Sequence, residues 1–495
     1  MRTLSLFVLA ATLALAQVAP PENPAPELEP YLKQFVDVLS AVQAHSSDAV
    51  SADRMVFGGA IPSMLRQLDP HTQFFDTAQF QQLKQMQESE QKGFGSVVSV
   101  LPGQVIFLQT LPGTPSNKVG IQPGDELIAI NNVAIRSLDP QQIVELLTEA
   151  RQQKITAFIR RQGFSRPFQF TLTPELVDQP SVDRAFLLKP GYGYIRVASW
   201  DLQTAKELHD AIEKLGPDKL KGLVLDLRAN PGGIVKAALD AASMFLEPGQ
   251  RILTARGRSK EVDSADVPRN AQPYHFAMAL IVNEMTASAS EILSGALQDH
   301  DRAVIVGVPT YGKGLVQSVM PLSQGTGLAI TTAFYYTPSG RTIQRPLRNS
   351  ALSDTFAEKP AVALPTYKTD KGRTVTGGGG IQPDILVAPA PFTRLESVLD
   401  ASGALTAFAT EYLAKHSPLP DHFEVTPDLI DELKVQLATR SIQPNAAEWS
   451  AEQLWIKSRL LEEIVTQARG VDKGDEVLAK RDPQVLAALK AVEDK

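Results

Sequence analysis

The chain has 495 residues, of which 43% are hydrophobic, and it carries a formal net charge of −7. A length of this order predicts about three domains, and a weakly acidic balance without a basic stripe argues against nucleic acid as a partner. The lack of cysteine in the sequence excludes disulfides, a thiolate nucleophile and zinc–sulfur sites.

The first sixteen residues have the pattern of a secretory signal peptide. Arg2 provides a positive charge, an apolar run extends from Leu4 to Leu15, and Ala14-Leu15-Ala16 matches the small-x-small pattern that precedes cleavage. The run, about 12 residues long, is too short to span a bilayer comfortably. We therefore expect residues 1–16 to be removed and the mature chain to be exported, either to the periplasm, including its membrane surface, or to the medium.

Residues 17–90 are predicted to form an N-terminal helical region after a proline-rich start. Apolar residues recur there at helical spacing, and they are Tyr31, Phe35, Val38, Leu39 and Val42. The segment Leu68-Asp-Pro-His-Thr-Gln-Phe-Phe75 interrupts this pattern with a proline turn.

Residues 91–175 change to the alternation expected of short strands. Strands are predicted over 96–101, 105–108, 155–160 and 168–172, and the segment 124–133 places a further apolar strand between two turn signals. A helix is predicted over 139–150, because Asp139 can cap it. These elements follow the order found in a small β-rich binding module.

This module resembles a PDZ domain, on the basis of Gly93-Phe94-Gly95 and of Ala129-Ile-Asn-Asn-Val133 after Pro123-Gly124-Asp125. PDZ domains bind a peptide as an added strand and hold its terminal carboxylate with backbone N–H groups. The resemblance therefore implies that Gly93, Phe94 and Gly95 bind peptide. The alternative is a generic β-module in which these three residues form only a turn.

Residues 176–390 alternate strand and helix, which is typical of an α/β core. Buried strands are predicted over 222–227, 277–282 and 304–306, and helices over 235–245 and 288–298. Such alternation implies parallel strands with right-handed crossovers. Because ligand sites lie beyond the carboxyl ends of such strands, we expect the loops that carry Gly232, Ser288 and Lys313 on one rim.

The predicted architecture is therefore a multidomain α+β protein. It combines a PDZ domain, an α/β protease core of alternating strands and helices, and helical regions at both ends. The C-terminal region, 391–495, shows helical spacing of its leucines, and the sequence does not indicate its role. Both helical regions are candidate surfaces for self-association.

Ser288 begins the helix that follows the second buried strand. One interpretation is a capping box, with Ser288 at the N-cap and Glu291 three residues on. The other is a nucleophile, because the free N–H groups and the dipole at a helix N-terminus favour the oxyanion of acyl transfer. Spacing alone favours the capping box.

Lys313 lies between Gly312 and Gly314, 25 positions after Ser288, and a Ser–Lys pair is a recurrent variant of the hydrolase triad. As a base, the lysine must be neutral, so burial must lower its pKa from about 10.4. Gln317, four residues on, can orient the amine. The alternatives are a solvated turn lysine and a phosphate loop, which is disfavoured because Gly314 replaces the magnesium-binding Ser or Thr and a strand follows.

Other hydrolase motifs are missing from the sequence. It contains neither an H-E-x-x-H motif nor a G-x-S-x-G elbow. A Ser–His–Asp triad would need one of seven histidines, but His300 is predicted to be a solvated cap at a helix end and His71 lies in a turn. We therefore expect a site that uses no metal, nucleotide or other cofactor.

Six further motifs accompany the PDZ-like segment. They are Leu225-Asp-Leu-Arg-Ala-Asn-Pro-Gly-Gly233, Ala287-Ser-Ala-Ser-Glu-Ile292, Gln298-Asp-His-Asp-Arg-Ala303, Gly312-Lys-Gly-Leu-Val-Gln317, Tyr336-Thr-Pro-Ser-Gly-Arg341 and Pro383-Asp384. Together they resemble the carboxyl-terminal processing proteases, also called tail-specific proteases. The resemblance covers about residues 30–390.

The resemblance implies a serine endopeptidase that acts on protein or peptide substrates presented by their free C-termini. It implies that Ser288 is the nucleophile, that Lys313 is the general base and that Gln317 supports Lys313. Two alternatives are a non-catalytic PDZ scaffold on a protease fold and a trypsin-like PDZ protease. The intact Ser288 and Lys313 argue against the first, and the lack of a G-N-S-G-G loop argues against the second.

The resemblance also implies an oxyanion hole made of backbone N–H groups. One would come from Ala289, and the other from either Gly232 or Gly233. The sequence does not distinguish between the two glycines.

Overall fold

The computed structural model describes residues 26–87, 90–258, 262–347 and 364–495. The predicted signal peptide, and the proline-rich residues that follow it up to residue 25, lie outside these ranges. Within them, no helix is both long enough and apolar enough to cross a membrane.

The N-terminal region is a series of short helices with one strand that docks on the core. Its elements are α1 (Glu29–His45), α2 (Ala52–Met55), a π-helical turn (Val56–Ala60), α3 (Ile61–Arg66), β1 (Gln73–Phe75) and α4 (Thr77–Gln87). The sequence predicted only a turn where β1 forms. The strand exists because Phe75 is buried with Phe80 and Leu83 of α4. Helix α1, by contrast, has no buried residue.

Residues 90–178 form the predicted β-module. Its elements are β2 (Glu90–Gly93), β3 (Ser96–Leu101), β4 (Gln104–Thr110), α5 (Pro115–Lys118), β5 (Glu126–Ile130), β6 (Val133–Ala134), α6 (Pro140–Ala150), β7 (Ile155–Arg160), β8 (Phe168–Leu172) and β9 (Glu175–Asp178). The main sheet runs β3-β4-β5-β7-β8, and β2 pairs with β9 as a stem. Asp139 caps α6 as predicted, since its carboxylate accepts from Gln142 N at 2.9 Å.

The α/β core follows from residue 182. Its elements are β10 (Val182–Lys189), β11 (Tyr192–Val197), α7 (Thr204–Leu215), β12 (Gly222–Asp226), α8 (Val235–Ser243), β13 (Arg251–Gly257), β14 (Val262–Asp266), β15 (Ala277–Val282), α9 (Ala289–Asp299), β16 (Val304–Gly307), β17 (Leu315–Pro321), β18 (Gly327–Tyr336), β19 (Thr366–Lys368), β20 (Thr374–Thr376) and β21 (Ile385–Leu386). The predicted buried strands and their helices are all present.

Two sheets build this core. The central sheet has the order β10-β11-β12-β15-β16-β21, and its strands are parallel from β11 onward. An antiparallel sheet, β1-β18-β13-β14 with β17 paired to β18, lies beside it. Helices α7, α8 and α9 pack on one face of the central sheet in the largest apolar cluster. The C-terminal region covers the opposite face, so β12 and β15 are buried on both faces, which explains their unbroken apolar runs.

The C-terminal region is helical, as predicted. Its helices are α10 (Arg394–Ser402), α11 (Ala404–Lys415), α12 (Pro427–Thr439), α13 (Ala446–Ala451), α14 (Gln453–Arg469), α15 (Val471–Ala479) and α16 (Pro483–Glu493). Helix α16 packs Val485, Ala488 and Val492 on the face of the central sheet opposite α9. The start of α15 contacts the β-module, because Val471 N–H donates to Gln109 Oε1 at 2.8 Å. The region therefore holds the core and the β-module together.

Candidate active site

Three loops meet at the carboxyl ends of β12, β15 and β16, as the strand order predicted. Ala287 N–H in the second loop donates to Asn230 O in the first at 3.0 Å, and Tyr311 N–H in the third donates to Thr286 O in the second at 3.0 Å. These bonds cross from loop to loop, so the backbones around Gly232, Ser288 and Lys313 form one connected unit.

Ser288 is the N-cap residue of α9 and has a strained backbone. Its φ and ψ are 55° and −115°, a conformation that costs a residue with a side chain roughly 1–3 kcal/mol. The residue is 1% exposed. Its side chain is a hydrogen-bond partner of the Tyr335 phenol, which itself donates to Lys313 O. The capping box of Ser288 and Glu291 that the spacing predicted is present, and the strained backbone holds the serine hydroxyl at the N-terminus of α9.

Lys313 is buried and is bonded to Gln317. Its Nζ donates to Gln317 Oε1 at 2.9 Å, and the residue is 7% exposed. Burial lowers the pKa of Lys313 to about 8, although the carboxylates of Asp69 and Glu291 act in the opposite direction. This environment disfavours the solvated turn lysine. Within the described residues, no hydrogen bond joins Ser288 Oγ directly to Lys313 Nζ.

Glu291 connects the serine and lysine loops, a role that the sequence did not predict. Its Oε2 accepts from Ser288 N at 2.9 Å and from Lys313 N at 2.8 Å. Its Oε1 accepts from Gly312 N at 2.7 Å and from Thr310 Oγ1 at 2.5 Å. Burial raises the pKa of this carboxyl, and the four donors oppose that shift. The capping-box spacing was the only signal of Glu291, and it gave no hint of the contacts with residues 310–313.

The three candidate oxyanion residues differ in their backbone hydrogen bonds. Gly232 N–H already donates to Asn230 Oδ1 at 2.9 Å. For Gly233 and Ala289, no partner of the N–H group lies within the described part of the chain. Gly233 has a φ of 147°, and a Cβ there would lie 1.9 Å from Trp200 O. The close approach of Trp200 therefore requires glycine at this position.

Gly93, Phe94 and Gly95 lie together at a cavity of about 550 Å³ that the β-module shares with Asp183 of β10 and Val471 of α15. Val97 of β3, Leu127 of β5 and Leu147 of α6 line it with them. The volume is within the range of ligand sites, and β3 forms one side of the cavity. Ser288, Lys313 and Gln317 are not among its lining residues.

The remaining motifs converge at the C-terminal end of α9. Arg341 donates to Asp299 Oδ1 and to Gln298 Oε1, each at 2.7 Å, and Asp384 accepts from Ile305 N at 2.8 Å. His300 is not the solvated cap that the sequence predicted. Its side chain is 7% exposed and contacts Asp370 at 2.7 Å, because the hairpin of β19 and β20 covers it. These groups fix the end of α9 opposite Ser288.

A metal site does not emerge from the described residues. Across those ranges there is no group of three or more His, Cys, Asp and Glu side chains that could hold a metal ion.

Sequence comparisons agree with this arrangement. The profile described as Peptidase family S41 matches residues 191–348, and a PDZ domain profile matches residues 107–161. The chain is 31% identical over 345 residues to a carboxy-terminal-processing protease of Bartonella bacilliformis, covering 68% of this chain and 78% of that protein. It is 33% identical over 313 residues to a carboxyl-terminal-processing protease of a Synechocystis species, covering 62% and 72%.

Among solved structures, a photosystem II D1 C-terminal processing protease aligns with 77% of this chain and 97% of its own, at 23% identity and a TM-score of 0.40. The sequence matches define a serine-type peptidase with a PDZ domain, whose substrates are proteins or peptides. The chain belongs to the carboxy-terminal processing protease family.

Proposed function

We propose that this protein is an exported serine endopeptidase in which Ser288 is the nucleophile, Lys313 the general base and Gln317 the residue that orients the base. The observation that carries the proposal is the buried Lys313 amine, which is bonded to Gln317 and has a pKa lowered to about 8. A lysine with this pKa is neutral in about a tenth of molecules at pH 7, and that neutral form can accept a proton.

In the proposed reaction, the Ser288 hydroxyl turns from Tyr335 toward Lys313 and gives its proton to Nζ. Oγ attacks the substrate carbonyl carbon, and the carbonyl oxygen becomes an oxyanion. The carbon–nitrogen bond of the substrate then breaks, the Lys313 ammonium protonates the departing amine, and the acyl group remains on Ser288 as an ester. Water gives a proton to the neutral Lys313 amine and attacks this ester, and release of the carboxylic acid product restores both residues.

Gly233 and Ala289 are the proposed donors to the oxyanion. The Gly232 N–H is already engaged by Asn230, so Gly233 is the better candidate of the two glycines. Ala289 N–H is at the first turn of α9, where amide groups lack intrahelical acceptors and the helix dipole favours negative charge. Fixed donors of this kind stabilise charge that develops during the reaction.

The direct test of the nucleophile is Ser288→Ala. Peptidase activity should fall by several orders of magnitude, because removing a member of the catalytic unit has that effect, while the circular dichroism spectrum should not change. Ser294→Ala is the matched control, since this serine is buried in the same helix and donates to Ser290 O. Peptide hydrolysis by a folded Ser288→Ala protein at the rate of the Ser294→Ala control would refute the assignment.

We further propose that the PDZ domain selects substrates by a free C-terminus. Backbone groups at Gly93, Phe94 and Gly95 would receive the carboxylate, and the apolar cavity beside Leu127 and Leu147 would take the last side chain. The full-length Ser288→Ala protein should bind an apolar-tailed peptide acid at least about tenfold more tightly than its amide. Equal affinity for the acid and the amide would exclude capture of the carboxylate.

Export is proposed from the signal-peptide pattern of residues 1–16. Cell fractionation and N-terminal sequencing of the mature protein test it. Recovery of the intact N-terminus from the cytosol would refute it.

A further inference from the structure

We propose that the turn Asp69–Thr72 in the N-terminal region is a positioning element for the base, which it holds through a hydrogen bond from Gln317 to the His71 carbonyl. The proposal rests on the roles proposed above for Lys313 and Gln317. It assigns a function to a segment that precedes both profile matches, at 107–161 and at 191–348.

The first line of evidence is a two-step hydrogen-bond chain. Lys313 Nζ donates to Gln317 Oε1 at 2.9 Å, and Gln317 Nε2 donates to His71 O at 2.7 Å. A backbone carbonyl can only accept, so it dictates which end of the glutamine amide faces the turn. The amide oxygen must then face the lysine. Without the His71 carbonyl, the amide could rotate and present its NH₂ group to the amine.

The second line of evidence is the rigid construction of the turn. Asp69 is 0% exposed, and its Oδ1 accepts from His71 N at 2.7 Å and from Thr72 N at 2.9 Å. Its Oδ2 accepts from Thr72 Oγ1 at 2.5 Å. Pro70, between them, has a restricted φ. These constraints fix the direction of the His71 carbonyl.

The third line of evidence is the way the turn docks on the strand pair that carries Gln317. Thr331 N–H donates to Thr72 Oγ1 at 3.2 Å, and Thr331 is the residue opposite Gln317 in the β17–β18 pairing. Strand β1 continues this contact, with Gln73 opposite Ala329. The Thr72 hydroxyl therefore connects the Asp69 carboxylate to the backbone directly across from Gln317.

Charge in the turn also acts on the base. The charged and titratable groups that face Lys313 are Asp69 and His71 from the turn, Glu291 from α9 and Tyr335 from β18. Burial, together with the nearby Lys313, lowers the pKa of His71 to about 4, so this imidazole is neutral at working pH. Asp69 and Glu291 favour the charged form of Lys313, so removal of the Asp69 charge should make the amine easier to deprotonate.

The competing view is that residues 69–75 only cover the edge of the antiparallel sheet. In that case, Thr72→Val would lower stability, and any effect of this substitution on kcat would be the same with or without the Gln317 side chain. Three variants separate the two views. Thr72→Val removes the hydroxyl at constant shape, Thr72→Ser restores it, and Asp69→Asn removes the charge while keeping an acceptor oxygen. Thr77→Val is the control, because its hydroxyl bonds to Gln324 O, away from Gln317.

In the full-length protein we expect kcat for Thr72→Val to fall about tenfold, as for the loss of one buried hydrogen bond, with KM little changed. Thr72→Ser should recover activity, and Thr77→Val should match the wild type. In a Gln317→Ala background, Thr72→Val should lower kcat no further, because the effect of Thr72→Val passes through the glutamine. Asp69→Asn should move the midpoint of the kcat–pH profile to lower pH.

Full additivity of Thr72→Val and Gln317→Ala would overturn the proposal, because the effect of the turn would then not pass through Gln317. If Thr72→Val does not fold, Thr72→Ala takes its place in the same comparison. Lys313→Ala is measured in parallel. Substantial activity in Lys313→Ala would refute the proposed base itself, whereas an inactive Lys313→Ala with control-like turn variants would refute only the role of the turn.

Discussion

Opposite ends of the chain support the two sides of the candidate site, and the two supports differ in kind. On the base side, the N-terminal turn contacts Gln317 through a buried hydrogen bond to His71 O. On the oxyanion side, the C-terminal region contacts the start of the loop 228–233, called here the glycine loop. There Arg228 donates to Asp482 Oδ2 at 2.6 Å and to Gln484 Oε1 at 2.9 Å. Arg228 is also held by Asp226, with Nη2 to Oδ2 at 2.6 Å. The C-terminal support is therefore partly redundant, whereas the Gln317 amide NH₂ group depends on one acceptor in the N-terminal turn, the His71 carbonyl.

This difference predicts two kinds of functional change. Perturbing the base side should alter the protonation of Lys313 and so move the pH dependence of the reaction. Perturbing the oxyanion side should lower the maximal rate without moving that pH dependence, because Arg228 and Asp482 are not among the groups that shift the pKa of Lys313. The pH profile is thus the measurement that distinguishes the two sides.

The largest effect is expected for Lys313→Arg. Arginine keeps its charge at any working pH and cannot accept a proton, so kcat/KM should fall by roughly 10³-fold or more. The measurement is hydrolysis of a fluorogenic peptide by the purified, folded variant, beside Lys434→Arg, a change in the C-terminal region. Efficient turnover by Lys313→Arg would show that the base side has been misassigned.

A large effect is also expected for Glu291→Gln, because this residue serves both sides at once. Glutamine offers one acceptor oxygen, so its NH₂ group would face two of the donors now bound by the carboxylate, from Ser288, Thr310, Gly312 and Lys313. We expect kcat/KM to fall about 100-fold and the melting temperature to drop, since buried donors left unpaired cost about 1–3 kcal/mol each. A variant with wild-type activity would mean that the two loops are held by other contacts.

Much of the fold follows from local pattern, and the missing parts involve distant contacts. The predicted strands 96–101, 155–160, 168–172 and 277–282 have the observed bounds, because alternation and apolar runs report burial directly. Strand β1 was not predicted, since its partner is about 250 residues away. Periodicity carries no information about such pairings.

The candidate site shows the same division. The alternation of strands and helices predicted that the loops of Gly232, Ser288 and Lys313 lie on one rim of the sheet, and they do. The catalytic roles of Ser288, Lys313 and Gln317 stay predictions until variants are measured. The contacts of Glu291 with residues 310–313 and the docking of α16 had no sequence signal, because each depends on tertiary packing. The prediction that His300 is solvated was wrong because tertiary packing buries its side chain beside Asp370.

The wild-type pH profile tests the base side without any substitution. Because burial lowers the pKa of Lys313 to about 8, the amine is mostly charged below that pH and mostly neutral above it. The rate should therefore rise as pH increases, reach half its maximum at about pH 8 and level off above about pH 9, with roughly a tenfold gain from pH 7 to the plateau. The measurement is kcat from pH 6 to 9.5 at constant ionic strength. A rate that falls over this range would contradict a lysine base.

The smallest effect is expected for Asp482→Asn, which tests the redundancy of the oxyanion side. Asparagine is as good an N-cap as aspartate, so α16 keeps its start, where Asp482 Oδ1 accepts from Gln484 N at 2.7 Å. The variant loses only the charge that faces Arg228. A partly exposed ion pair contributes about 1 kcal/mol or less, and Asp226 still holds the arginine.

We therefore expect kcat/KM of Asp482→Asn to fall only about two- to threefold, with the pH midpoint unchanged. Asp428→Asn, an exposed aspartate in the first turn of α12, is the matched control in the same region. A shifted midpoint would mean that the C-terminal region acts on Lys313 after all, and the contrast between the two sides would fail. A loss as large as that of Thr72→Val would show that Asp226 cannot hold the glycine loop alone, and that the C-terminal helices are as necessary to the site as the N-terminal turn.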